Sequence, residues 1–328
     1  MKVHLITGGA GFIGVNLARR LLARDETVIA FDDLSLGHRE FLKPFGNVPG
    51  FEFHEVDCSA TDTFLNAAES VHARKPVTDV WHLAANSDIP AGVKDSRIDL
   101  RRTFLTTFET LRVMSALQIP NLHFASSSAI YGDVPDRAIF EDLGPLEPIS
   151  NYGAMKLASE AQIRAAVEAG LERADIFRFP NVVGTPATHG VIIDLIRKCR
   201  KTPTGFDVLG DGTQQKAYLH VDDLVDAMLY IADRATGRYN VFNIGPDDEG
   251  ITVARIAETV RDSVSPGAQI RYGRGNKGWT GDVPRFRYDT RKLAGLGWKP
   301  KLNSDGAIAR AVSEIAEQER TSLRERDA

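Results

Sequence analysis

A glycine-rich segment near the N-terminus constrains the fold more than any other feature of this 328-residue chain. The run Thr7-Gly-Gly-Ala-Gly-Phe-Ile-Gly14 comes directly after a short apolar segment and opens a helical pattern. Its spacing, with glycine at positions 8, 11 and 14, is typical of a tight strand-to-helix turn that lets the backbone approach a pyrophosphate and points helix N–H groups at the phosphates. Three glycines also fit an ordinary tight turn, so the interpretation depends on the residues further along the chain.

Apolar runs of strand length alternate with helical patterns through the first half of the chain. The predicted strands are Val3–Thr7, Thr27–Phe31, Phe51–Val56, Val80–Leu83, Asn121–Ala125 and Ala174–Phe179, and the predicted helices are Phe12–Arg24, Ala60–Arg74, Asp99–Leu117 and Tyr152–Ala169. Such alternation builds βαβ units and a parallel sheet covered by helices on both faces. We therefore predict an α/β fold, a Rossmann-type doubly wound parallel sheet, with an NAD-binding domain over residues 1–180.

The composition changes after about Pro180, where short strands and glycine-rich turns mix with helices. We expect a smaller mixed α/β C-terminal lobe over residues 181–328, with a segment at about 216–245 returning to the first domain. Loops carried on a rigid scaffold often recognise ligands, so this lobe is the expected substrate-binding part.

The bulk properties exclude several classes of function. The formal charge of −4 and the pI near 6.1 come without a basic stripe, which argues against nucleic-acid binding. No stretch approaches the ~20 apolar residues of a membrane-spanning helix, and we expect a cytoplasmic protein. The two cysteines, Cys58 and Cys199, lie far apart in sequence, so we expect neither a disulfide nor a metal site.

The ends of the next predicted strands carry side chains that suit a dinucleotide. Asp32 lies eighteen residues after Gly14, where a carboxylate binds ribose hydroxyls and repels a 2′-phosphate, so NAD is favoured over NADP. Arg39 and His38 lie close enough in sequence to serve a 2′-phosphate instead. Asp57 suits either the adenine amino group or a simple turn.

The fourth predicted strand ends in His82-Leu-Ala-Ala85, where small side chains leave room for a cofactor. We expect His82 itself to be a packed strand histidine without a catalytic role.

The second chemical motif is a tyrosine and a lysine one helical turn apart, Tyr152 and Lys156. Both side chains are predicted to share one helix face, and a nearby ammonium lowers the pKa of a phenol and favours a tyrosinate base. A lone pair with this spacing is common by chance. Here it comes after a predicted strand that ends in Ser126-Ser-Ser128, which can supply a hydroxyl to the same substrate oxygen.

Together these motifs resemble the extended short-chain dehydrogenase/reductases, in particular the nucleotide-sugar epimerase/dehydratase branch. The matching segments span nearly the whole chain in order: TGGAGFIG (7–14), Asp32, HLAA (82–85), SSSAIYG (126–132), Tyr152 with Lys156, RFPNVVG (178–184), HVDDL (220–224) and Gly281-Asp282.

The resemblance implies a role for individual residues. Tyr152 would be the acid/base, Lys156 would bind the nicotinamide ribose and tune Tyr152, and Ser127 would hydrogen-bond the sugar oxygen. The cofactor site that it implies comprises Gly8, Gly11, Phe12, Ile13, Gly14, Asp32, Ser35, Gly37, Asp57, Cys58, Leu83, Ala84, Ala85, Ser126, Tyr152, Lys156 and Phe179. The implied substrate site comprises Ser87, Ser127, Ser128, Asn181, Gly190, Val191, Lys216 and Asp282, with Asn181 at the diphosphate and Asp282 at the nucleotide ribose.

The chain departs from the family pattern at the expected diphosphate clamp. Lys216 and Ala217 stand where the family often has arginine and aspartate, and Trp279 replaces a second arginine. Lysine neutralises a diphosphate but cannot form the planar fork of arginine. Cations elsewhere in this lobe can compensate, namely Arg274, Lys277 or Arg285.

The residues around the serine motif favour epimerisation over dehydration. The 4,6-dehydratases of this branch carry an Asp-Glu pair where this chain has Ser128 and Ala129, which cannot act as acid and base. We therefore expect a 4-epimerase that works by transient oxidation at C4, with a UDP-linked substrate of the UDP-glucose/UDP-galactose type. Residues 181–196 contain no lysine or arginine, which favours a neutral sugar because a buried carboxylate usually needs a cationic partner.

Three alternatives stay open: a UDP-glucuronate 4-epimerase, a net keto-sugar reductase, and a non-catalytic nucleotide-sensing scaffold on the same fold. The resemblance also implies a homodimer. Its expected interface is formed by two helices with apolar residues at Leu100, Phe104, Phe108, Ala158, Ile163 and Val167.

Overall fold

The computed structural model describes residues 2–134, 138–275 and 287–327. The strands are β1 (Val3–Thr7), β2 (Thr27–Asp32), β3 (Phe51–Glu55), β4 (Asp79–His82), β5 (Asn121–Ala125), β6 (Ala138–Ile139), β7 (Arg173–Arg178), β8 (Asn181–Val183), β9 (Gly205–Val208), β10 (Gln215–Lys216), β11 (Tyr218–His220), β12 (Tyr239–Asn243), β13 (Ile251–Thr252), β14 (Gln269–Tyr272) and β15 (Arg287–Tyr288). The helices are α1 (Phe12–Leu22), α2 (Thr61–Arg74), α3 (Ile89–Lys94), α4 (Ser96–Asp99), α5 (Thr106–Leu117), α6 (Asn151–Glu168), α7 (Val191–Lys201), α8 (Val221–Arg234), α9 (Val253–Val264), α10 (Arg291–Leu296) and α11 (Ser304–Asp327).

A seven-stranded sheet forms the centre of the first compact unit, with strand order β12-β7-β5-β4-β1-β2-β3. The pairs from β7 through to β3 are all parallel. The chain moves outward from β1 through β2 to β3, and then returns to place β4 on the other side of β1. Ligands of such sheets bind at this reversal, outside the carboxyl ends of the strands. The predicted doubly wound α/β fold is confirmed, and each predicted strand matches an observed one to within a residue at either end.

Aliphatic and aromatic side chains on one face of this sheet form the core with the helices that follow. Leu5, Ile29, Val80, Leu122 and Ile176 are fully buried there and pack with apolar residues from α2, α5 and α6. The run of buried residues along every central strand is what a parallel sheet covered on both faces requires.

The opposite face of the sheet carries buried polar groups that the sequence does not predict. Trp81 donates a hydrogen bond from Nε1 to Nδ1 of His4, and Nε2 of His4 lies 2.9 Å from Glu26. Burial lowers the pKa of His4 to about 4, so this histidine is neutral in the folded protein.

The predicted helix Asp99–Leu117 is interrupted by a wider π-helical turn over Leu100–Leu105. Threonine hydroxyls at the start of α5 donate to carbonyls of this turn: Thr106 to Arg102 and Thr103, and Thr107 to Thr103. Side-chain hydroxyls that compete for helix carbonyls distort the regular hydrogen-bond pattern. Such π-turns often lie near functional sites.

The second compact unit comprises residues 133–143, 179–227 and 243–328, while residues 228–242 belong to the first unit. The returning segment is thus shorter than the predicted 216–245, and it brings β12 beside β7. The second unit contains two-stranded pairs, β8 with β11, β9 with β14, β10 with β13 and β6 with β15. Its apolar core includes Ile192, Ile196, Ile256, Val260 and Ile308.

Among the described residues, no helix is long and apolar enough to cross a membrane.

Candidate active site

The glycine-rich loop is as tight as its spacing predicts. Gly8 has φ +73°, and a Cβ there would lie 2.8 Å from the backbone nitrogen of Ala84, at the end of the neighbouring strand β4. A Cβ on Gly14 would lie 2.4 Å from the Gly8 carbonyl oxygen. Helix α1 begins directly after Gly11, without a side-chain cap and without an acid in its first turn. Its first N–H groups are therefore available to an anion, which fits a dinucleotide pyrophosphate.

Asp32 closes this loop from the adjacent strand. Its carboxylate accepts hydrogen bonds from the backbone N–H groups of Ala10 (3.0 Å) and Leu34 (2.8 Å). Burial raises the pKa of Asp32, and the two backbone donors partly oppose that shift. A Cβ on Gly37 would lie 2.6 Å from the same carboxylate, so this turn also depends on glycine. Ser35 is exposed two residues earlier.

The residues after β3 form a turn. Asp57 accepts hydrogen bonds from the backbone and hydroxyl of Ser59 and from Arg101 (2.6 Å). Burial raises the pKa of Asp57, but these donors outweigh it and hold the pKa below its usual range. The turn role considered from the sequence is thus observed, and an adenine contact stays a prediction. Cys58 is buried, and burial raises the pKa of its thiol well above the usual value.

His82 is a packed strand histidine, as expected. Its two ring nitrogens lie 2.6 Å from the hydroxyl of Thr7 and 3.0 Å from that of Thr107. Burial, with a smaller contribution from Lys156, lowers the pKa of His82 well below its usual value, so the ring is neutral.

Tyr152 and Lys156 lie together at the start of α6, which begins at Asn151 because Ser150 caps it by accepting from the N–H of Gly153. The Lys156 ammonium nitrogen lies 5.9 Å from the centre of the Tyr152 ring. It donates to the Ala125 carbonyl (2.6 Å) and is fully buried. The predicted placement on one helix face is confirmed.

The predicted electrostatics of this pair are wrong for the protein alone. Burial raises the pKa of Tyr152 to about 12, and a hydrogen bond with Ser127 opposes the shift only in part. Burial also lowers the pKa of Lys156 to about 7, so the lysine carries only part of a charge near neutral pH. The spacing of the two residues predicts that the lysine lies near the phenol, but it does not reveal the free-energy cost of burying a charged ammonium.

A buried ion pair that the sequence did not reveal lies beside the serine segment, between Glu160 on α6 and Arg178 at the end of β7. The Ser126 hydroxyl donates to Glu160, and the Arg178 guanidinium donates to both oxygens of the same carboxylate. Arg178 also donates to the Tyr131 hydroxyl (2.9 Å). Three of these four residues belong to the sequence motifs, so the signal for a network was present, but Glu160 has no motif of its own.

The other implied site residues are distributed over both units. In the first unit Ala85 and Ser87 follow β4, and Ser128 begins a short 3₁₀ helix that ends at Tyr131. Phe12 and Ile13 form the first turn of α1, and Leu83 donates to the Thr7 carbonyl. The residues that belong to the second unit are Phe179, Asn181 at the start of β8, Gly190 and Val191 at the start of α7, and Lys216 in β10. Asp282 lies outside the described residues, as do Lys277, Trp279 and Arg285.

The strand order, the glycine-rich loop, Asp32 and the Ser–Tyr–Lys cluster define an NAD-type α/β protein of the short-chain dehydrogenase/reductase class. A profile of the NAD dependent epimerase/dehydratase family matches residues 4–245, and the chain belongs to that family. NAD is the cofactor of the family, as predicted.

The chain is similar over nearly its whole length to UDP-glucose and UDP-galactose 4-epimerases. It is 30% identical to the UDP-glucose 4-epimerase of Lactobacillus helveticus, over 95% of this chain and 96% of that one. A crystal structure of a UDP-galactose 4-epimerase is 30% identical, with a TM-score of 0.84 over 96% of this chain and 99% of that one. The Thermus thermophilus UDP-glucose 4-epimerase, in complex with NAD, is 26% identical, with a TM-score of 0.82 over 95% of this chain and 98% of that one.

Proposed function

We propose that the protein is an NAD-dependent 4-epimerase of UDP-linked hexoses, of the UDP-glucose/UDP-galactose type. The observation that carries the proposal is the cluster of Ser127, Tyr152 and Lys156, in which the phenol interacts with the Ser127 side chain and lies beside a buried lysine. The 4-epimerase relatives support the choice of reaction.

The cofactor-binding residues proposed for the first unit fit a dinucleotide. The uncapped N-terminus of α1 offers N–H groups to the pyrophosphate, and the Asp32 carboxylate suits ribose hydroxyls. NAD⁺ held there would supply the acceptor for a hydride, two electrons with one proton, from C4.

The chain's own residues handle the proton. Tyr152 takes the proton of the sugar 4-hydroxyl, and Ser127 hydrogen-bonds the same oxygen. A neutral phenol beside a neutral amine carries the same total charge as tyrosinate beside ammonium, so Lys156 can accept the phenol proton without a net charge entering the site. After the sugar presents its other face, Tyr152 returns the proton to the new hydroxyl. Ser128 and Ala129 provide no acid or base for removing water, so dehydration is disfavoured.

We propose a neutral hexose because no lysine or arginine lies within residues 181–196. Arg197, the next cation along, is held by both oxygens of Glu319 at 2.9 and 3.0 Å. A sugar carboxylate would therefore depend on a protonated His189, on neutral donors such as Thr185 and Thr188, or on an arginine from another part of the chain. Three alternatives remain: a UDP-glucuronate epimerase, a keto-sugar reductase and a non-catalytic scaffold. Assays of substrate conversion and of cofactor release distinguish them.

We further propose a cytoplasmic homodimer formed through the π-turn and helix α5. Leu100 and Phe108 are 45% and 36% exposed, which is unusual for large apolar side chains on one helix, and Phe104 between them is half-buried. Ile163 and Val167, which the sequence suggested for the interface, are buried in the core instead, because they face the sheet.

Two measurements test the proposed function. Denaturing the purified protein should release NAD, since an epimerase regenerates its cofactor in each turnover. Incubation with UDP-glucose, UDP-glucuronate and their N-acetylated counterparts, followed by NMR, should show the C4 epimer of the neutral sugar. Selective conversion of the glucuronate would reject the neutral-sugar choice. Net accumulation of reduced cofactor would indicate a reductase, and no conversion of any sugar would favour a scaffold.

A further inference from the structure

A buried carboxyl group at the end of α4, Asp99, has no role in the mechanism described so far. Its side chain is fully buried. One oxygen, Oδ1, accepts a hydrogen bond from the side-chain amide of Asn86 (2.9 Å). The other, Oδ2, is buried without a hydrogen-bond partner in the part of the chain that the structure describes. A buried oxygen left unpaired costs free energy, and such groups concentrate where function requires them.

Packing holds Asp99 against a segment that is tied to the start of the catalytic helix. A Cβ on Gly92 would lie 1.8 Å from Oδ2, so only glycine fits beside this carboxyl. The carbonyl of the same Gly92 accepts a hydrogen bond from the side-chain amide of Asn151 (2.9 Å). Because Asn151 directly precedes Tyr152, one glycine connects the unpaired carboxyl oxygen to the backbone that positions the phenol.

Two acids face Lys156 within the described residues, Glu160 and Asp99. Only Asp99 lacks, among those residues, another cation that neutralises its charge. Glu160 also faces Lys156, but that carboxylate is neutralised by Arg178 (2.6 Å). The ammonium itself donates to a neutral backbone carbonyl and lies over the Phe124 ring. Asp99 forms no ion pair with any residue that the structure describes.

The titratable groups that face Asp99 are few. They are Asp88 from the loop before α3 and, from α6, Lys156 and Tyr152. The charge of Asp99 raises the pKa of Tyr152 and that of Lys156, because a negative charge favours the protonated form of both.

We propose that Asp99 is a positioning residue whose negative charge favours the ammonium form of Lys156, and that it thereby sets the balance between the protonated and deprotonated forms of the Tyr152–Lys156 pair. Burial raises the pKa of Asp99 itself, and its hydrogen-bond partner Asn86 opposes that shift. In its ionised form Asp99 offsets part of the cost of burying an ammonium and, by the same interaction, opposes the formation of tyrosinate. The expected effect of Asp99 on turnover rests on the proposed function, whereas its expected effect on the titration of Lys156 does not.

The first test is the pH dependence of kcat in the holoenzyme with Asp99→Asn, which removes the charge at nearly constant shape and keeps one oxygen to accept from Asn86. Both limbs of the profile should move to lower pH by about one unit, because both pKa values fall. Asp88→Asn is the matched control: it removes an exposed carboxylate nearby, and asparagine keeps the helix cap that Asp88 gives to Ala91. A uniform loss of kcat with unmoved limbs, or an equal shift in the control, would overturn the proposal.

The second test needs no substrate. Isotopically labelled lysine in the holoenzyme reports the side-chain titration of Lys156 by NMR, and Lys156→Met identifies its signal. In the Asp99→Asn protein, Lys156 should lose its proton at a pH about one unit lower than in the wild type. An unchanged titration in a folded variant would overturn the role of Asp99, even if no sugar nucleotide were turned over. A shifted titration without any turnover would reject the proposed function alone.

Discussion

The buried ion pair between Glu160 and Arg178 gives a sharp test of the energetics. Both side chains are almost fully buried, at 4% and 6% exposed, and Arg178 donates to both carboxylate oxygens at distances down to 2.6 Å. Glu160→Gln keeps the shape but leaves the guanidinium without a counter-charge. Losing one partner of a buried pair costs about 3–5 kcal/mol, because the remaining charge stays desolvated and unpaired.

The assay is urea unfolding of the variant and of a matched control on the same helix, Glu168→Gln. Glu168 pairs with Arg164 at 2.7 Å, but both are more than half exposed, so that substitution should cost less than about 1 kcal/mol. Replacing both members of the buried pair with methionine should cost less than the sum of the two single changes, because neither charge is then left behind. A Glu160→Gln protein within about 1 kcal/mol of the wild type would refute the reasoning.

Four further predictions concern the site, pH and assembly. Tyr152→Phe should leave NAD binding nearly intact and lower kcat by roughly 10²–10⁴-fold, and near-normal turnover would reject Tyr152 as the acid/base. The pKa of His4 is about 4 in the folded protein against about 6.5 in the unfolded chain. Its contribution to the free energy of unfolding should therefore be full above pH ~6.5 and be lost as the pH falls towards 4. If the urea midpoint of His4→Gln varied with pH as much as that of the wild type, this expectation would be contradicted. Gln318 forms two hydrogen bonds with the backbone of Ala187 (2.7 and 2.8 Å) in the loop before α7. Gln318→Leu should therefore raise KM several-fold with little change in kcat. An unaltered KM would show that this loop does not contact substrate. Phe108→Glu should shift the protein from dimer to monomer in light scattering, and a wild-type monomer at micromolar concentration would reject the dimer itself.

The sequence predicts the first unit well because its signals are local. The glycine spacing and the spacing of Tyr152 and Lys156 each depend on about one turn of chain, and both appear where expected. Asp32 stands at the end of a strand with a clear apolar pattern, and it also lies where expected. Parallel strands buried on both faces also produce apolar runs that stand out in the sequence.

The features that the sequence does not predict depend on contacts between distant residues. Carbonyls of the π-turn accept hydrogen bonds from the hydroxyls of Thr106 and Thr107. The pairing of Glu160 with Arg178 joins a helix to a strand. The pKa values of Tyr152 and Lys156 depend on burial, which spacing alone does not indicate. The expected contacts of Asn181, Gly190, Val191 and Lys216 with substrate remain predictions, because they depend on a ligand held by loops.

The central claim, transient oxidation at C4 with return of the same hydrogen, is tested most directly with UDP-glucose deuterated at C4. Tyr152 exchanges only the hydroxyl proton with its surroundings, so the label on carbon has no route to water through the chain. We expect UDP-galactose that retains the deuterium at C4, with no net reduced cofactor released. Loss of the label to water during epimerisation would contradict this mechanism.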